Sequence, residues 1–89
     1  EENTTKEKAV PINIMITEDG RYLINEKLVE SVAIEDMANT LREIAQGKKD
    51  TPVIISADAN ARHQSIINMM EASRKAELSK IAFTTKPTK

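Results

Sequence analysis

Between residues 10 and 17 the chain alternates. Val10, Ile12, Ile14 and Ile16 recur at spacing two, with Asn13 and Thr17 on the opposite side and Met15 between them. A period of two predicts a strand with one face buried. Pro11 cannot donate to a ladder, so the strand is expected to begin at a sheet edge. Glu18-Asp19-Gly20 follows, and Asp-Gly is a strong hairpin signal. Arg21–Asn25 then reads as the return strand of an antiparallel hairpin, with Asn25-Glu26-Lys27 as a second turn and Leu28–Val32 as a connector.

The period then changes. Ile34, Met37, Ala38, Leu41, Ile44 and Ala45 form one apolar stripe at helical spacing. Glu35 and Asp36 suit the positive end of the helix dipole. Gly47 is placed to end the helix, with Lys48 and Lys49 beyond it. Val53-Ile54-Ile55 is a short unalternating run, as expected of a central strand covered on both faces. Ala57–Ala61 reads as a loop, with Asn60 as a helix cap. A second helix carries Ile66, Met69, Met70, Ser73 and Ala76 along one face, with Ile67 beside it. Lys80–Thr85 is a last strand with Ile81 and Phe83 on one side, stopped by Pro87. The predicted order is β-β-α-β-α-β. Right-handed crossovers and the need to bury both helix stripes give an α+β two-layer sandwich, with two helices on one face of a mixed sheet. Residues 1–9 are polar and aperiodic, and read as a disordered tail or linker before a domain over residues 10–87.

Composition narrows the chemistry. Eighty-nine residues make one domain. The only aromatic residues are Tyr22 and Phe83, so the core must be aliphatic. A net charge of −1 argues against nucleic acid and against polybasic membrane adhesion. Without cysteine there is no disulfide, Cys-based zinc site or thiol nucleophile. No apolar run approaches the roughly 18–20 residues of a membrane span. A start on Glu suggests a fragment or processed product, with any anchor cut away.

Four segments resemble the ExbD/TolR family of biopolymer transport proteins. They are Tyr22-Leu23-Ile24-Asn25; Pro52-Val53-Ile54-Ile55-Ser56-Ala57-Asp58; Ile66 through Ala76 (IINMMEASRKA); and Ile81-Ala82-Phe83-Thr84-Thr85-Lys86-Pro87. Gly47-Lys48-Lys49-Asp50-Thr51 is similar to the ExbD branch in particular. There are three departures. Glu77 stands where the family usually has Gly after the second helix. His63 occupies a position that is often Tyr. Leu28–Ala33 is about three residues longer than the family's spacing, where short connections are the rule.

The resemblance implies the periplasmic domain of an inner-membrane protein. It also implies an amino-terminal membrane helix, not contained in this chain, whose Asp serves proton coupling in an ExbB-type motor. The implied partners are that motor subunit, a TonB-like transducer for outer-membrane import, and a second copy in a homodimer. The TolR branch implies a peptidoglycan-binding anchor instead.

Catalytic candidates are weak. Asp58 could orient a partner's backbone or a ligand amine, but its plainer role is to cap a loop, because Asp bonds local amides readily. His63 is the only histidine, too few for a metal cluster or a triad. Arg74 and Lys75 could grip a carboxylate of cell-wall peptide, or simply complement the helix dipole. Met37, Met69 and Met70 could form an adaptable groove, although helical spacing favours core. There is no Gly-rich phosphate loop and no pair of carboxylates that can be placed in a cleft. No enzyme, cofactor or metal is indicated. The stronger feature is main chain. An edge strand at Val10, Ile12, Asn13, Ile14, Met15 and Ile16 would offer unpaired N–H and C=O groups to a partner segment, or to a second copy.

Overall fold

The computed structural model describes residues 10–86. The expected tail over residues 1–9 and the stop at Pro87 lie outside the described residues. Seven elements follow in order: β1 (Ile12–Ile16), β2 (Tyr22–Ile24), β3 (Lys27–Leu28), α1 (Ile34–Ala45), β4 (Val53–Asp58), α2 (His63–Lys75) and β5 (Ile81–Lys86). The sheet order is β3-β2-β1-β4-β5. β1 pairs antiparallel with β2 and parallel with β4, and β4 pairs parallel with β5. This is the mixed sheet of an α+β two-layer sandwich, with one strand more than the predicted order.

The extra strand comes from the second turn. Asn25 (φ 51) and Glu26 (φ 71) are both left-handed, the requirement of a two-residue hairpin turn with primed geometry. The turn folds Lys27–Leu28 back onto β2. The segment read as a connector therefore begins with two paired residues. Asn25 also closes onto β1: its side-chain oxygen accepts from the Asn13 N–H, and its own N–H donates to the Asn13 carbonyl.

The core lies between the sheet and the helices. Ile12, Ile14, Ile16, Val53, Ile55 and Ala57 point inward against Met37, Ala38, Leu41, Met69 and Ala72, all buried. One face of β4 is covered, not both: its burial alternates along its length, and it runs on to Asp58. The predicted Val53-Ile54-Ile55 run is thus half of an alternating strand that continues through small residues. Tyr22 is the one aromatic in the core. Its hydroxyl donates to the carbonyl of Ser65 at 2.8 Å, tying the hairpin to the first turn of α2. Burial pushes the Tyr22 pKa above its ordinary 10.0, partly offset by hydrogen bonding to Ser65 and Asn68.

Both helix ends differ in detail from expectation. α1 stops one residue earlier than Gly47 alone would require, because Gln46 itself adopts the left-handed conformation. At the end of α2, Glu77 takes a left-handed conformation (φ 66), at the position where the resemblance implies Gly. The N–H of Leu78 bonds the Ser73 carbonyl and that of Glu77 the Arg74 carbonyl, which is a Schellman closure. Leu78, the residue after the left-handed one, is buried. The helix therefore ends by the route a glycine would allow, but with a residue for which that conformation is strained. Asn60 is not a helix cap. α2 begins at His63, and the N–H of Asn60 instead bonds the Asp58 carboxylate.

Candidate partner-binding edge

The edge predicted at β1 is not an edge. β1 sits third of five strands, bonded on one side to β2 and on the other to β4. Ile12, Ile14 and Ile16 are buried against the helices, while Asn13 and Met15 face the open side of the sheet. Val10 is exposed just before the strand. Pro11 costs no ladder bond because pairing starts after it, with the Ile12 N–H donating to the Pro52 carbonyl. Period-two alternation reports how many faces of a strand are covered. It carries no information on whether the strand has one lateral neighbour or two.

Among the described residues the edges are β3 and β5. β3 is two residues long, and beside it lies a groove of 520 Å³ lined by Ile24, Leu28, Val29, Asp36 and Ile44 among others. β5 is six residues long and contains no proline. Its register with β4 fixes which groups are free. The Val53 N–H donates to the Lys80 carbonyl at 2.7 Å. In a parallel ladder alternate residues serve one neighbour, so residues 80, 82 and 84 turn their main chain to β4. The N–H and C=O groups of Ile81, Phe83 and Thr85 then point away from the sheet.

Side chains on this rim are divided in the same way. Ile81 is paired with Val53 and Phe83 with Ile55, so both lie on the helix-covered face. Yet Phe83 is 43% exposed where Ile55 is fully buried. The helical layer stops short of β5. Its outer flank presents Ile67 and Met70, 37% and 38% exposed, and with Ile81 and Arg74 they border a shallow depression of 250 Å³. Met37 and Met69 are core as their spacing suggested, but Met70 belongs to this open flank.

The remaining candidate side chains are scattered. Asp58 does what its plainer reading expected, accepting the Asn60 N–H at 2.9 Å in a local turn. His63 is exposed at the first position of α2. Arg74 pairs with Glu71 at 3.0 Å and Lys75 with Glu35 at 3.4 Å, both on the surface. Lys49 of the charged Lys48–Asp50 loop pairs with Glu77. Among the described residues no cluster of His, Asp and Glu could hold a metal, and no helix is long and apolar enough to cross a membrane.

A two-helix, mixed-sheet domain with these segments is open to comparison with known families. The family profile for Biopolymer transport protein ExbD/TolR matches residues 1–88. The chain belongs to the ExbD/TolR family. No individual curated protein matches it. As members of a biopolymer transport family, ExbD/TolR proteins act in transport, and among the described residues the β5 rim is the longest strand edge with unpaired main-chain groups.

Proposed function

We propose that this chain is the periplasmic domain of an inner-membrane energy-transducing protein. It couples the proton motive force, through an ExbB-type motor, to a TonB-like protein for outer-membrane import. It has no catalytic site. In the intact protein it acts as a homodimer and receives an extended segment of the transducer by strand addition. The observation that carries this reading is the open β5 row of Ile81, Phe83 and Thr85, in a domain of the ExbD/TolR family. An unpaired row is matched by another strand at little geometric cost. β5, not β1, is the strand that has such a row to offer.

The alternative of a peptidoglycan anchor draws no comparable support. Arg74 and Lys75, its only candidate contacts, are each engaged by a carboxylate of the domain itself.

The test is a titration of the ¹⁵N-labelled domain with extended TonB-type peptides. The expected result is shifts of the Ile81, Phe83 and Thr85 amides. Phe83→Pro removes one outward donor and leaves the ladder to β4 in place, so it should abolish binding with little loss of fold. Shifts confined to charged loops, or none at all, would overturn the proposal. Retention on peptidoglycan sacculi without peptide shifts would favour the anchor.

A further inference from the structure

Main-chain pairing alone would accept any extended segment, and the surroundings of β5 are more selective than that. This inference rests on the strand-addition reading above and concerns what the added strand must look like. A residue placed opposite Ile81 or Phe83 shares their face of the sheet. It is thereby set over the outer flank of α2, where Ile67 and Met70 stand more than a third exposed beside a depression that also touches Ile81. Its neighbours in sequence fall on the opposite, open face. There the adjoining side chains are Ala82 and Thr84, with Ser56 bonded to Thr84 across the ladder at 3.2 Å. At Ala82 and Thr84 that face is small and uncharged, and the register brings charge only beyond them, where Asp58 pairs with Lys86. The one charged pair at the α2 flank, Glu71 with Arg74, is already mutually satisfied.

We infer that the β5 rim selects a protein segment with apolar side chains at every second position and small or polar residues between them. Ile67, Met70 and Phe83 form the ledge that reads the apolar set. The chemistry follows from burial. Each apolar side chain laid on the ledge removes its own surface and that of Ile67, Met70 or Phe83 from water. A charged one would be desolvated with no partner facing it.

The experiment uses two Lys-capped ten-residue peptides of identical composition. One alternates Val and Thr; the other carries the same residues in blocks. Binding is followed by amide shifts on the labelled chain, with and without the double substitution Ile67→Lys and Met70→Lys at these exposed positions. The expected result is that the alternating peptide shifts Ile81, Phe83 and Met70, and that blocking the sequence or altering the ledge weakens binding about tenfold or more. Equal binding of both peptides at β5, unaffected by the ledge substitutions, overturns the inference while leaving strand addition intact. If neither peptide reaches β5, both fall. If the same amides shift on concentrating the free protein, a second copy occupies the rim, and the assignment to a partner segment is wrong.

Discussion

The centre and the rim of the sheet present the same face in the same register, yet they live in different surroundings. Ile55 on β4 and Phe83 on β5 are direct neighbours across a parallel pair. Ile55 is sealed beneath the helices, while Phe83 keeps nearly half its surface in water. The sheet is five strands wide and the helical layer only two helices wide. A layer that narrow covers the inner strands and leaves the outer apolar positions for something else. The difference separates residues that hold the fold together from residues of the same chemical type that stay partly in water.

The largest test of that separation removes both neighbours in turn. Ile55→Ala deletes a fully packed side chain and should cost about 3 kcal/mol, whereas Phe83→Ala should cost no more than about 1 kcal/mol because much of the ring is already hydrated. Urea denaturation of both variants checks this, and equal losses would mean that the rim is packed like the centre. Next comes the tie between hairpin and α2. Tyr22→Phe removes this second donor to the Ser65 carbonyl, which keeps its place in the α2 ladder, and should cost about 1.5 kcal/mol. It has a pH signature as well. The folded Tyr22 pKa lies above the unfolded value, so its contribution is complete below about pH 10 and is lost as pH rises through the folded pKa. Thermal melts at alkaline pH should fall more steeply in the native protein than in Tyr22→Phe.

A smaller effect lies where α2 turns into the rim strand. Glu77→Gly relieves a left-handed non-glycine and should add about 1 kcal/mol, since the Lys49 pair it forfeits is exposed and weak. An unchanged midpoint would mean that the turn is not strained. Least of all, Met70→Ala should cost under about 0.5 kcal/mol, as expected for a surface substitution away from the core. The same change at Met69, one residue earlier and fully buried, belongs with Ile55.

Much of this architecture was legible in the chain. The stripes of Met37, Ala38 and Leu41 and of Met69 and Ser73 placed both helices, because a 3.6 period cannot be satisfied by a strand. The alternation from Ile12 to Ile16 placed β1 and its buried face. Lateral order was not legible, because side-chain pattern is set by what lies above and below a strand and not by what lies beside it. That is why the candidate edge fell on β1. The turn at Asn25-Glu26-Lys27 is legible, but β3 after it is not, because two residues are too few to show a period. Met70 was misplaced for a related reason. The apolar stripe of α2 is wider than the part the sheet can cover, and a stripe cannot say where its cover ends. The chemistry of the rim, by contrast, was visible as Ile81 and Phe83 at spacing two, waiting only for the strand to be placed at the margin.

The common direction of β1, β4 and β5 has a mechanical consequence. A pull entering at Val10 and resisted along β5 crosses two parallel ladders lengthwise. Such a load is carried in shear, by many bridges at once, instead of peeling them apart in succession. A load applied between the start of β1 and the far end of β5 would thus meet both ladders along their length.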